Sequence, residues 1–118
     1  NNYRFYRVAE AYLNAAELLL ETGGDANLAK EYVNAIRNRA GVAQKTSVTV
    51  DDVIEERHLE FVGEGKRYFD LVRTGKAASV LTPDKYGYRT NSWTESKKYI
   101  PIAQAELDSD PALVQNNY

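Results

Sequence analysis

The chain has no cysteine and no methionine, a single histidine, a single tryptophan and three prolines in 118 residues. Without cysteine, disulfide staples, thiolate zinc sites and a cysteine nucleophile are excluded within these residues. No run of about eighteen apolar residues occurs, so no segment reads as a membrane-spanning helix. Charge of one sign is scarce too: 15 Lys and Arg stand against 17 Asp and Glu, a net of −2. That balance is too small to drive binding to nucleic acid or another polyanion. A metal site would have to rest on carboxylates around one imidazole, so no metal and no cofactor is expected. The first residues, Asn1-Asn2-Tyr3-Arg4-Phe5-Tyr6, show neither an apolar signal core nor a small-residue cleavage site. The expectation is a piece of something longer.

What is present is helical periodicity and an excess of tyrosine, nine residues in all. Phe5, Ala9, Tyr12, Leu13, Ala16, Leu19 and Leu20 recur at helical spacing ahead of Gly23-Gly24. Asp25 is a candidate N-cap for a second helix, whose stripe of Leu28, Ala29, Tyr32, Val33, Ile36 and Ala40 stops at Gly41. Residues 5–41 thus read as a tetratricopeptide-like helix pair, with Tyr3, Tyr6, Tyr12 and Tyr32 turned to the core. Thr49 and Asp52 approximate a capping box for a third helix, on which Val53, Ile54, Arg57, His58, Phe61 and Val62 share a face. Gly63 and Gly65 interrupt it, and residues 67–73 resume a helix that Gly75 closes. From residue 82 onward the period is lost, and Pro83, Gly87, Asn91 and Ser92 mark turns. The expected fold class is all-α, of the α-α superhelix type: the helix pair, further helices over residues 49–75, and an irregular loop and tail over 82–118.

The densest chemistry lies in residues 55–73. Glu56, Glu60 and Glu64 are spaced four apart, so a continuous helix would line their carboxylates on one face, as a pair of glycosidase acids might be. Arginines are interleaved at matching reach, however, and a carboxylate beside Arg stays ionised where a general acid needs a raised pKa. The cluster therefore reads as a structural ion-pair network of Arg57, Glu60, Glu64, Arg67, Asp70 and Arg73 that pins the third helix to the fourth. His58 reads as a core or network histidine. No serine lies in a nucleophile elbow and no glycine-rich phosphate loop occurs, so no catalytic residue is assigned. The candidates for ligand contact are Tyr86, Tyr88 and Trp93, with Tyr99 nearby, because flat rings in an irregular loop can stack on sugar faces; the same rings can equally close over the core as a loop lid.

Four blocks make the chain recognisable. They are residues 6–17, opening Tyr6-Arg7-Val8-Ala9-Glu10 and closing Ala16-Glu17, then Val33-Asn34-Ala35-Ile36-Arg37-Asn38-Arg39-Ala40-Gly41, then the run from Glu56-Arg57 through Glu64-Gly65-Lys66-Arg67-Tyr68-Phe69-Asp70-Leu71-Val72-Arg73, and last Tyr99-Ile100-Pro101-Ile102-Ala103-Gln104-Ala105-Glu106-Leu107 with Asp110-Pro111 and Gln115-Asn116-Asn117-Tyr118. In this order they resemble the C-terminal part of the SusD/RagB family of nutrient-binding outer-membrane lipoproteins of Gram-negative bacteria, over residues 1–118. The family usually has Trp at the place of Tyr68, Pro at that of Ala103, Asn at that of Asp110 and Pro-Gly ahead of the final Tyr. The resemblance implies a helical protein at the cell surface that binds oligosaccharide or polysaccharide without acting on it and delivers it to a TonB-dependent transporter. It also implies a lipid anchor outside this segment, and a main glycan site upstream of the blocks seen here. The competing expectation is a tetratricopeptide-type module that binds protein or peptide.

Overall fold

The computed structural model describes residues 6–118, so the expected roles of Tyr3 and Phe5 lie outside the described residues. The fold is all-α, and no strand occurs among the described residues. The chain divides into two compact units, Asn1–Arg67 and Tyr68–Tyr118.

The first unit is built on α1 (Val8–Glu21), α2 (Ala26–Arg39) and α3 (Val50–Glu60). Its core joins Ala9, Leu13 and Ala16 of α1 to Ala29, Val33 and Ile36 of α2, with Val48, Val53 and Phe61 closing the far side. The alanines Ala16 and Ala29 are fully buried, and their small size lets the two helices approach closely. Tyr12 stacks on Tyr32 with ring centroids 5.2 Å apart and planes 16° from parallel, extending the contact to the helix margin. Full burial of a side chain such as Leu13 or Val33 stabilises by about 1.5–3 kcal/mol, so a handful of these holds the pair together.

Caps fix the helix ends. The Asp25 carboxylate accepts from the backbone N–H groups of Asn27 and Leu28 at 2.8 and 3.2 Å, satisfying donors that the first turn of α2 leaves open. At the other end Gly41 takes φ +70°, where only glycine is unstrained. This conformation turns the N–H of Val42 back to the Arg37 carbonyl (3.0 Å) and that of Gly41 to Asn38 (3.1 Å), a Schellman closure. Thr49 and Asp52 form a full capping box at the start of α3. Lys45 donates to Asp52 at 2.7 Å and Thr49 adds a hydroxyl and a backbone N–H, and together they lower the Asp52 pKa to about 2.

Two sequence expectations change here. Helix α1 starts at Val8, so Tyr6 precedes it and is 81% exposed rather than in the core, its ring 5.1 Å from the Lys66 ammonium; Tyr12, also expected inside, is 38% exposed and stacks on Tyr32 outside the core. On α3 the buried face is Val53, Ile54, Glu56 and Arg57, while His58 and Val62 face solvent. The face is rotated toward Glu56 because Arg37 reaches across from α2 to bond that carboxylate at 2.6 Å, which makes its burial tolerable. His58 instead sits 3.6 Å from the Glu55 carboxylate at the surface.

The second unit carries most of α4 (Arg67–Arg73), then α5 (Ala77–Val80), a 3-10 turn at Glu95–Lys98 and α6 (Gln104–Ser109). Leu71 and Ala77 are its buried apolar residues. Helix α6 falls inside the stretch expected to be tail; at six residues it is too short to show a period, and the Gln104 amide bonds Asp108 at 2.7 Å one turn on. No helix among the described residues is long and apolar enough to cross a membrane.

Candidate functional site

Two places hold the chemistry that the sequence singled out, one in each unit. In the first, the Arg7 guanidinium lies between two glutamates. Its Nε donates to both oxygens of Glu64 at 3.1 Å, and Nη2 donates to Glu64 Oε1 and to the Glu60 carbonyl, both at 2.7 Å. Nη1 donates to the Glu60 carboxylate, which Arg39 also holds from α2 at 2.5 and 2.6 Å. Beneath these groups lies the Phe61 ring, with the Arg7 and Arg57 guanidinium carbons 4.7 and 5.2 Å from its centroid.

The expected partners of this cluster are thus placed differently. Glu60 and Glu64 pair with Arg7 and Arg39, residues of the helix pair that had not been assigned to the network. Arg57 donates to Asn14 of α1 at 2.5 Å, Arg67 lies 4.0 Å from Glu55, and Asp70 pairs with Arg73 one turn along α4 at 2.8 Å. Periodicity could not show the reach of Arg7, because it crosses more than fifty residues of sequence. Chemically the cluster is poor in acid function: hydrogen bonding from Arg7 holds the Glu64 carboxyl below the usual glutamate range despite partial desolvation. An ionised, arginine-bound carboxylate cannot protonate a glycosidic oxygen. Among the described residues no group of three or more His, Cys, Asp or Glu is arranged to hold a metal ion.

The second place is a cavity of about 350 Å³ lying wholly within the second unit. Tyr68, Trp93, Tyr99 and Tyr118 supply its rings; Leu81, Ile100 and Pro101 add apolar wall, and Arg89, Asn91, Ser92 and Lys97 complete a lining that is almost wholly apolar. The Tyr68 hydroxyl donates to the Lys97 carbonyl, and its ring lies 6.1 Å from Trp93 at a 58° tilt. The indole N–H of Trp93 faces Glu95 Oε1 at 3.3 Å. Arg89 is fixed by donating to the carbonyls of Val80 and Thr82 at 3.1 and 2.9 Å, and the Lys97 ammonium donates to that of Ser92.

The tail reaches this cavity through side chains that act as a strand partner would. Gln115 accepts from the Ile102 N–H and donates to the Ile102 carbonyl, both at 3.0 Å, and Asn116 donates to Ile100 at 3.4 Å. Tyr118 follows two residues on and becomes a wall.

Of the three candidate ligand residues, Trp93 lines the cavity, whereas Tyr86 and Tyr88 stand together on a neighbouring turn. Their rings are 6.3 Å apart at 42°, and they are 70% and 91% exposed. Asp84 shapes that turn by accepting from the N–H groups of Tyr86, Tyr88 and Arg89 at 2.7, 3.3 and 2.5 Å. Desolvation opposes its ionisation, but these bonds outweigh it and hold the Asp84 carboxyl below its ordinary range. Tyr68 and Tyr118 were not singled out from sequence. Tyr68 read as part of a helical stripe, and Tyr118 is brought in only by the tail contacts.

Comparison with known proteins gives consistent relationships. A model of the SusD family matches residues 1–118. The starch-binding protein SusD of Bacteroides thetaiotaomicron is 34% identical over 94% of this chain and 20% of its own length. Surface glycan-binding protein A from Bacteroides uniformis is 64% identical with a TM-score of 0.90, over 99% of this chain and 28% of that one. Surface glycan-binding protein A from Bacteroides thetaiotaomicron, solved in complex with laminarihexaose, is 61% identical with a TM-score of 0.88, over 100% of this chain and 25% of that one. The chain therefore spans only 20 to 28% of the length of these relatives.

Proposed function

The chain belongs to the SusD family, and from that premise we propose that it serves in capturing a glycan without chemistry on it, as part of a surface protein used in polysaccharide uptake. The observation that carries this reading is its 61% identity to a surface glycan-binding protein seen with laminarihexaose. The geometry agrees with capture rather than cleavage. The glutamates at glycosidase-like spacing are bound to arginines, and the rings of the second unit offer flat apolar surface to a sugar. Tyr86, Tyr88 and Trp93 are the stacking residues we propose within this segment. Arg57, bonded to Asn14, and the ion pairs of Glu60, Glu64, Arg67, Asp70 and Arg73 serve as scaffold.

The proposal extends to place and partners. The protein sits on the outer face of the outer membrane of a Gram-negative bacterium, held by a lipid anchor outside these residues, and passes its glycan to a TonB-dependent transporter. The experiment is calorimetric titration of the protein in its full natural length with laminarihexaose and a panel of soluble glycans, alongside an assay for new reducing ends. Binding without product is the expected result. Binding to no glycan overturns the capture reading, and release of product overturns its non-catalytic part. Copurification of a transporter from detergent-solubilised outer membranes tests the partner.

A further inference from the structure

We propose that the cavity of the second unit is a short carbohydrate subsite, taking one or two pyranose rings against Trp93 and Tyr99. This rests on the glycan-capture reading. Four observations point to it. The first is shape: about 350 Å³ is near the small end of ligand pockets, which run about 300–1,000 Å³, so the cavity suits a chain end or a single ring rather than an extended polymer.

The second is wall chemistry. A pyranose presents an apolar C–H face ringed by hydroxyls, and the cavity matches that face: its lining is almost wholly apolar, from the rings of Tyr68, Trp93, Tyr99 and Tyr118 with Leu81, Ile100 and Pro101, which leaves the sugar hydroxyls to the open mouth and water. The third is charge. Arg89 and Lys97 are held by backbone carbonyls and Glu95 stands 3.3 Å from the Trp93 indole nitrogen, so the cavity favours neither sign strongly and suits a neutral sugar.

The fourth is preorganisation. The Tyr68 hydroxyl is bonded to Lys97, the Trp93 indole faces Glu95, and Arg89 is held by two carbonyls. Walls already fixed lose little rotamer freedom when a ligand arrives. Tyr86 and Tyr88 lie outside this cavity, so the subsite divides the exposed rings of the unit into two groups.

The test uses the protein in its full natural length, labelled with 5-fluorotryptophan, with the Trp93 resonance assigned through Trp93→Phe. Titration with laminarihexaose is expected to shift that resonance saturably. Tyr99→Ala should raise the midpoint of the shift about three- to tenfold, the scale of one lost ring contact, while the melting temperature stays near that of the unsubstituted protein. Calorimetric binding with an unmoved Trp93 resonance, or a midpoint that Tyr99→Ala leaves unchanged, overturns the subsite while the capture reading stands. Absence of any binding overturns both. A structure of the full-length protein with its own chain filling the cavity also overturns the subsite.

Discussion

Replacing Arg7 by alanine removes the group that joins α1 to the end of α3, and the structure sets the size of the loss. Arg7 donates to the Glu60 carboxylate and carbonyl and to both oxygens of Glu64, and it covers the Phe61 ring. Exposed ion pairs contribute about 0.2–1 kcal/mol, whereas stripping a partner from a buried charge costs about 3–5 kcal/mol. The present case lies between. The Glu60 side chain is only 7% exposed but keeps Arg39, and Glu64 at 35% exposure regains water when Arg7 leaves. We expect a loss of about 2 kcal/mol in the local stability of α1 and α3, read by native-state hydrogen exchange of their amides. Adding Glu60→Gln in the Arg7→Ala background should recover about 1 kcal/mol, because the buried charge left short of partners is gone. The Glu64 carboxyl, held low chiefly by its hydrogen bond to Arg7, should move up toward the ordinary glutamate range in an NMR titration of Arg7→Ala. A loss under about 0.5 kcal/mol, or a Glu60→Gln effect that is the same with and without Arg7, would refute the reasoning.

Other outcomes can be checked alongside. Thr49→Ala breaks the capping box of α3 and should destabilise that helix by about 1 kcal/mol in the same exchange experiment. Asp52 has its pKa lowered from 3.8 to about 2, so its contribution is fully present above about pH 4 and is lost as pH falls toward 2; a denaturation series across that interval should show the decline, and Lys45→Ala should blunt it. Tyr68→Phe removes the bond to the Lys97 carbonyl and should lower protection around the Glu95–Lys98 turn by about 1 kcal/mol with the ring still in place. If Glu60 or Glu64 were a general acid, the unsubstituted protein would release reducing ends from its glycan and Glu60→Gln would abolish the release; no release from either form is expected.

What could be read from the sequence was what depends on near neighbours. The stripes of α1 and α2, the Asp25 cap, the Gly41 stop and the Thr49–Asp52 box each involve residues within a turn or two of one another. Errors began where tertiary context chose between readings. A stripe starting at Phe5 suited the pattern, but the helix begins at Val8 and leaves Tyr6 in solvent. On α3 a hydropathy rule places His58 and Val62 inward, while the structure exposes both and buries Glu56, which Arg37 awaits on the facing helix; Arg57 is buried on the expected face, bonded to Asn14. The glutamate spacing was visible; the arginine that satisfies it was not, since nothing local connects residue 7 with residues 60 and 64.

The same contrast explains why the two units differ in what they can do. In the first unit charged groups meet across the helices, and the glutamates that might have carried chemistry instead align α1, α2 and α3 around Phe61. In the second unit the regular elements are short, and rings are placed by single side chains: Asp84 for Tyr86 and Tyr88, Gln115 and Asn116 for the tail that carries Tyr118. Such placement leaves ring faces open to solvent, at 56% exposure for Tyr99 and 59% for Tyr118, where a helix core would have covered them.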